Sequence, residues 1–326
     1  MKIGIVGYGN VGRGVEQAIK LNPDTELCAV YTRRDPKEIT LATPGVPVKP
    51  LSALGGRAGG PDVLILCGGS ATDLPEMTPS LAAKFTVVDS FDTHANIPAH
   101  FAAVDKAAKK GKTSAIISSG WDPGLFSLAR AYTLAAIPDG KSYTFWGRGV
   151  SQGHSDAIRR IEGVADARQY TVPIESALSS VRSGEAPDLT VRQKHLRECY
   201  VVAKEGADRE EITRKIVTMP NYFDEYDTTV TFISQEEMDE KHSKMPHGGC
   251  VIRTGRADVS GNHNSVAEFS LKLDSNPEFT GGVLVACARA AYRLNTRGRF
   301  GCFTMLDIAP ADLLPMSREE ILHKLV

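Results

Sequence analysis

The chain of 326 residues is sparing with cysteine and shows no cysteine pattern. Its six thiols, at 28, 67, 199, 250, 287 and 302, form no CxxC or other metal-ligand spacing, which argues against a zinc site or a disulfide framework. Several lie in apolar runs, so they are expected as reduced, mostly buried thiols of a cytoplasmic protein. His154, His247 and His263 likewise lack ligand spacing, and no metal is expected. Net charge is only −1, which leaves no global basic field to attract nucleic acid or a membrane surface. No apolar run approaches the ~20 residues of a membrane span. The first strand follows Met1 almost at once, so no signal peptide is expected. Internal repeats and low-complexity tracts are missing too. What remains, 42% hydrophobic and 24% charged residues, is ordinary for a globular chain long enough for two domains.

The most informative stretch comes first. Ile3 to Val6 has the character of a buried strand, and Gly7-x-Gly9-x-x-Gly12 follows directly. Val15-Glu16-Gln17-Ala18-Ile19-Lys20 then reads as a helix. Strand, glycine turn and helix together are the context that makes this pattern a dinucleotide site, with Tyr8, Asn10 and Val11 in the turn. Gly7 permits the tight turn, Gly9 lets backbone approach a pyrophosphate, and Gly12 lets helix and strand pack closely. The pyrophosphate is expected on the helix N-terminus.

The end of the second strand selects the cofactor. Residues 26–31 form the strand candidate, and it runs into Thr32-Arg33-Arg34 where an NAD site usually places a carboxylate. Two guanidiniums and a hydroxyl suit a 2′-phosphate, so NADP(H) is expected over NAD(H). The plain alternative is a solvated basic turn.

A proline-rich stretch and a glycine loop at 55–60 precede a strand at 62–67, which ends in Gly68-Gly69-Ser70. Helices are read at 74–84 and 100–110, with strands at 85–88 and 114–117. This alternation predicts an α/β fold, a Rossmann-type doubly wound parallel sheet. After Gly124 the character changes. Strands are expected at 142–146, 167–172, 197–202, 227–233, 250–254 and 268–273, with helices at 155–161 and 210–218. That is an α+β domain on a mostly antiparallel sheet. An alanine-rich helix at 281–294 returns the chain to the first domain. The expected division is therefore a dinucleotide-binding domain of 1–120 completed by 277–326, and a second domain of 121–276.

Asp92 and Asp122 fall past the C-terminal ends of successive strands of the first domain, the edge where ligands bind in such folds. They could hold an ammonium group or act as base toward it. Each alone is also compatible with a cap or turn, Asp122 before Pro123 especially. The polar stretch 147–156 leads into a helix whose backbone N–H groups could receive a carboxylate, or which is simply capped by Ser155 or Asp156. Residues 245–249 read as a polar turn before a strand, where His247 could donate to an anion. Arg197 opens an apolar strand, where a cation wants an anionic partner or solvent.

With these motifs in place, the chain resembles the meso-diaminopimelate dehydrogenase family. The resemblance rests on Gly7-Tyr8-Gly9-Asn10-Val11-Gly12-Arg13, Thr32-Arg33-Arg34, Gly120-Trp121-Asp122-Pro123-Gly124, Phe145-Trp146-Gly147 and Ser151-Gln152-Gly153-His154-Ser155-Asp156-Ala157-Ile158-Arg159-Arg160. Further along, Gly184-Glu185-Ala186-Pro187-Asp188-Leu189-Thr190, Met245-Pro246-His247-Gly248-Gly249 and Leu271-Lys272-Leu273-Asp274-Ser275-Asn276-Pro277 carry it to nearly the whole chain. It implies NADP-dependent oxidative deamination of the D-centre of meso-2,6-diaminopimelate. The products are ammonia and L-2-amino-6-oxopimelate, which cyclises to tetrahydrodipicolinate, and the reverse reaction serves lysine biosynthesis. It also implies a homodimer, the second domain serving both substrate binding and dimerisation.

Carried over, the resemblance places the cofactor on Gly7, Tyr8, Gly9, Asn10, Val11, Gly12, Thr32, Arg33, Arg34, Cys67, Gly68, Gly69, Ser70, Ser90, Phe91, Asp92, Ser119, Gly120, Trp121, Asp122 and Pro123. Asp92 and Asp122 would flank the D-centre amine as the catalytic pair, and Trp121 and Trp146 would wall the pocket. Gln152 and Gly153 would receive the near carboxylate through backbone N–H. Thr171, Arg197 and His247 would hold the distal carboxylate, and Asn276 the distal amine. Two other readings compete: an NADP-dependent D-amino acid dehydrogenase or reductase of different specificity, and a catalytically silent NADP-binding sensor.

Overall fold

The structure, a computed structural model, describes residues 1–55, 59–261 and 263–326. Of the glycine loop read at 55–60, Gly56, Arg57 and Ala58 therefore lie outside the described residues. The chain divides into two compact units, Met1–Leu128 with Pro277–Val326, and Ala129–Asn276. By packing, the first unit runs on past the expected Gly120 to Leu128, inside a helix that the sequence did not disclose.

In chain order the strands are β1 (Lys2–Val6), β2 (Glu26–Thr32), β3 (Val48–Pro50), β4 (Val63–Leu66), β5 (Val87–Asp89), β6 (Ser114–Ile116), β7 (Asp139–Trp146), β8 (Gly149–Val150), β9 (Val164–Pro173), β10 (His195–Ala203), β11 (Asp227–Phe232), β12 (His247–Arg256), β13 (Asn264–Leu273) and β14 (Gly301–Phe303). The helices that matter for the sites are α1 (Asn10–Lys20), α2 (Leu74–Ala82), α3 (Ile97–Gly111), α4 (Leu125–Ala136) and α5 (Gln152–Arg159).

The first unit holds a seven-stranded sheet in the order β14-β6-β5-β4-β1-β2-β3, parallel throughout. Parallel strands are covered on both faces, which explains their continuous apolar runs. Ile3, Ile5, Val63, Ile65, Val88 and Ile116 pack with Val15 and Ile19 of α1 and with Leu284, Cys287 and Ala288 of the long Asn276–Thr296 helix. Val6, Leu64, Leu66, Val87, Ala115 and Ile117 pack on the opposite side with Leu74 and Ala82 of α2 and Val104 and Ala108 of α3. The chain order reverses between β4 and β1, so the crevice of a doubly wound sheet opens at the ends of these two strands.

The second unit has two sheets where one was expected. One is β11-β10-β9-β8, in which only β10 and β11 run parallel, and the other is β13-β12-β7, antiparallel. Residues 245–249 are not all turn: β12 begins at His247 and takes Gly248 and Gly249 with it. Arg197 does not open its strand either, because β10 starts at His195.

Helix α1 begins at Asn10, inside the glycine turn, although glycine is a poor helix former. Packing overrides propensity there. A Cβ on Gly12 would meet the Gly7 carbonyl at 2.4 Å, and one on Gly14 would meet the Pro277 carbonyl at 2.2 Å. Gly14→Ala should therefore destabilise the first unit by about 2 kcal/mol or more and lower its melting temperature by at least ~3 °C. A thermal melt that leaves the temperature unchanged would show that the two backbones can part at no cost.

Candidate functional site

In the first unit, the groups expected to bind a nucleotide gather at the ends of β1, β2, β4, β5 and β6. Gly7 takes φ +89°, a left-handed turn that glycine allows, and donates its N–H to the Tyr31 carbonyl at 2.8 Å. A Cβ on Gly9 would meet nothing within 4 Å, so backbone here is open to a close ligand. Gly9 caps α1 without a side chain, and no acidic residue lies in the helix's first turn. Its N–H groups and positive dipole end are thus left for an anion, which is what a pyrophosphate needs.

Arg34 reaches back to donate to the Tyr8 carbonyl at 2.5 Å. The Tyr8 hydroxyl donates to buried Glu16, and burial followed by that carboxylate pushes the phenol up to about 12. Arg33 projects into solvent and pairs with Asp73 at 2.7 Å. Asp73 also accepts the Gly69 N–H at 2.9 Å, and these two donors hold its carboxyl below the usual range although burial opposes them. The arginine arm and the Gly68–Ser70 loop are thereby tied by one side chain. No carboxylate ends β2; Asp35, three residues on from Thr32, caps a short turn by accepting the Lys37 N–H. These features fit a 2′-phosphorylated dinucleotide.

The loops after β4, β5 and β6 are joined as well. Ser70 Oγ accepts the Asp92 N–H at 2.9 Å and lies 3.1 Å from the Thr93 hydroxyl. The Ser119 N–H donates to the Asp89 carbonyl at 2.9 Å. Asp92 is exposed and Asp122 half-buried, while Trp121 is buried edge-on against Phe126 at 5.2 Å. Cys67 is half-buried, and desolvation pushes its thiol up to about 12.

In the second unit, Thr171, Arg197 and His247 come together through sheet register. Thr171 faces Arg197 across β9 and β10 and Gly149 across β8, and the His247 ring lies so close over Gly149 that a Cβ there would meet it at 2.6 Å. The Arg197 guanidinium is buried, donates to the Thr171 hydroxyl and lies 3.9 Å above the Tyr226 ring. Its Nε has no hydrogen-bond partner, and among the described residues no carboxylate pairs with it. Burial lowers its pKa, Tyr226 opposing, yet a guanidinium stays charged at any working pH. An unpaired buried cation is costly unless an anion arrives.

Helix α5 is capped by Ser151, whose side chain accepts the His154 N–H, and not by Ser155 or Asp156. Ser155 instead donates to the Ser151 carbonyl at 2.6 Å and accepts the Gln169 N–H at 3.0 Å. Gln152 and Gly153 form the first turn, where the Gln152 amide reaches Met245 Sδ at 2.9 Å. Met245 in turn accepts the Asn276 N–H at 3.1 Å, so Gln152 and Asn276 adjoin one residue. Trp146 donates its backbone N–H to His195 Nε2 at 2.9 Å, and its ring stacks on that imidazole at 5.2 Å.

Sequence reasoning missed Tyr226, His195 and Asp73. Tyr226 lies just before β11 and no local pattern marks it; His195 shows only as a polar residue at the start of a strand. Burial, Lys194 and Arg197 push His195 down to about 3, and burial and Arg197 push His154 down to about 4. Both are neutral in the folded unit. The unfolded chain binds protons near pH 6.5 that the folded one refuses, so stability is full above about 6.5 and is lost as pH falls toward about 4 for His154 and about 3 for His195. His195→Gln can still accept the Trp146 N–H and should flatten that fall. A pH series of melting temperatures identical in variant and parent would contradict the buried neutral imidazole.

The fold and these groups define a two-unit, nucleotide-dependent dehydrogenase for a small charged substrate. The family profile "Diaminopimelic acid dehydrogenase C-terminal domain" matches residues 120–275. The meso-diaminopimelate D-dehydrogenase of Acetivibrio thermocellus is 56% identical over 100% of this chain and 98% of its own. The solved Corynebacterium glutamicum diaminopimelate dehydrogenase in complex with diaminopimelate is 45% identical, with a TM-score of 0.92 over 100% of this chain and 99% of that one. An engineered D-amino acid dehydrogenase bound to NADP+ is 44% identical, with a TM-score of 0.88 over the same shares. This chain belongs to the meso-diaminopimelate D-dehydrogenase family, and it is an oxidoreductase.

Proposed function

We propose that the protein carries out the reversible, NADP-dependent oxidative deamination of the D-centre of meso-2,6-diaminopimelate, giving L-2-amino-6-oxopimelate and ammonia, in lysine biosynthesis. The observation that carries this reading is the buried Arg197 guanidinium, which has a hydroxyl and an aromatic face but, among the described residues, no carboxylate of its own. A substrate with a second carboxylate supplies that partner. Thr171 and His247, gathered beside it by register, would share the same carboxylate, with Asn276 holding the distal amine.

NADP+, when bound, supplies the hydride acceptor. The glycine turn from Gly7 to Gly12 would hold its pyrophosphate, and Thr32, Arg33 and Arg34 its 2′-phosphate. Cys67, Gly68, Gly69 and Ser70, together with Ser90, Phe91, Asp92 and the stretch from Ser119 to Pro123, would line the rest. The chain's own chemical task is to present a neutral amine, because the nitrogen lone pair must be free to form the imine as hydride leaves carbon. Asp92 and Asp122 would accept that proton and then hold the resulting charge. Gln152 and Gly153, at the start of α5, would receive the near carboxylate through backbone N–H, and Trp121 and Trp146 would limit the pocket's width. Hydrolysis of the imine releases ammonia.

A cytoplasmic setting accords with six free thiols. A homodimer accords with the outer strand β13, which ends its sheet and exposes Val266 and Phe269.

The test is absorbance at the NADPH band with NADP+ and, separately, meso-, L,L- and D,D-diaminopimelate at mildly alkaline pH. Absorbance should rise with the meso isomer, at least 100-fold faster than with the L,L isomer, and far faster with NADP+ than with NAD+. No rise with any isomer, despite measurable NADPH binding, would return the protein to the silent sensor; equal rates with simple D-amino acids would favour the broader dehydrogenase.

A further inference from the structure

We propose that Asp89 is a positioning residue for turnover. Its buried carboxylate locks the loops that follow β5 and β6, and with them Asp92 and Asp122, into one arrangement. This rests on the assignment of those two aspartates to the reacting amine.

Asp89 is the last residue of β5 and is 0% exposed. One carboxylate oxygen, Oδ1, accepts the Phe91 N–H at 3.1 Å and the Ser118 N–H at 2.9 Å, so a single atom bridges the two loops. The other, Oδ2, accepts the Thr78 hydroxyl from α2 and His100 Nε2 from α3, each at 2.8 Å. The Asp89 backbone carbonyl takes the next N–H of the second loop, that of Ser119. Every lone pair that the carboxylate can offer in its plane is used. His100, while holding Oδ2, also stacks on Phe91 at 4.1 Å, which pins the residue next to Asp92 from the side.

The second loop needs such a hold. Ser118 has φ +54°, a left-handed conformation that a non-glycine residue adopts at a cost, and its N–H is aimed at Asp89. Asp92 is fixed again by Ser70 Oγ on its own N–H. Neither the glycine turn nor the Thr32–Arg34 arm donates a hydrogen bond to Asp89. A buried carboxylate is a poor source of stability, since desolvation offsets much of what its bonds return. Its value here is geometric: two loops from neighbouring strands share one acceptor, and neither can shift without breaking a bond at the other.

The prediction separates position from folding. Asp89→Ala leaves the Phe91 and Ser118 N–H groups without their acceptor and should lower kcat at least tenfold. The affinity for 2′,5′-ADP, which probes the glycine turn and the arginine arm alone, should stay within twofold by calorimetry. Asp89→Asn keeps Oδ1 for both loops and should retain kcat within threefold, because Thr78 and a His100 of the other tautomer can accept from its amide. Should Asp89→Ala fail to fold, His100→Phe, which keeps the stacked ring and removes only the N–H to Oδ2, should still lower kcat severalfold with 2′,5′-ADP binding intact. The proposal is overturned if Asp89→Ala or, where that variant does not fold, His100→Phe keeps its kcat, if kcat and 2′,5′-ADP affinity fall together, or if the Asn variant is as slow as the Ala variant. Asp92→Asn measured alongside tells the two readings apart. An undiminished kcat there, beside a kcat-specific loss in Asp89→Ala, removes Asp92 from the catalytic pair and leaves Asp122, on the loop that Ser118 anchors, as the group that Asp89 positions.

Discussion

A guanidinium buried in a sheet, with no carboxylate partner among the described residues, sets the terms for the second unit. Arg197 is fixed by register: its strand neighbour brings Thr171, whose other neighbour is the close-packed Gly149 beneath His247. Tyr226 spreads an aromatic face under the charge, which softens desolvation without neutralising it. The same positive charge helps keep His154 and His195 neutral, and neutral His195 can then accept the N–H of Trp146. Burial, helped by this cation, thus keeps both imidazoles neutral, and the same charge suits an anionic group of a ligand.

The first unit depends on a different device. A parallel sheet can only offer its strand ends, so the residues that do chemistry sit on loops that the sheet does not itself fix. They are tied to one another instead. Asp73 joins the Arg33 arm to the loop after β4, Ser70 joins that loop to the one after β5, and Asp89 joins the latter to the loop after β6. Each tie is a side-chain acceptor on a backbone N–H or a guanidinium, so loops free of regular pairing still have one low-energy arrangement.

Most strands of the first unit were legible because buried parallel strands are plain apolar runs. The glycine turn was legible because its spacing has a mechanism. Helix α4 was not: Leu125, Leu128, Ala129 and Tyr132 do stand at i, i+3, i+4 and i+7, but Phe126 and Leu134 fall off that stripe and blur it. The start of α1 was read too late because its glycines look unhelical until the Pro277 backbone is seen against Gly14. Asp92, Asp122 and Arg197 stood out locally as charges at strand ends or in apolar runs. Their supports did not, because Asp73, Asp89, His195 and Tyr226 gain meaning only from partners distant in sequence. The Ser151 cap was hidden by the hydroxyl and carboxylate of Ser155 and Asp156, either of which looked as suitable.

The most direct test of the account concerns the anion that Arg197 awaits. D-Lysine has the D-centre and the distal amine of meso-diaminopimelate and lacks only the distal carboxylate. With NADP+, kcat/KM for meso-diaminopimelate should exceed that for D-lysine at least 100-fold, and in Arg197→Met the ratio should shrink to about tenfold or less, chiefly through loss of the diaminopimelate rate. A ratio unchanged by the substitution would mean that the buried guanidinium meets some other need, and that the substrate's second carboxylate is held elsewhere.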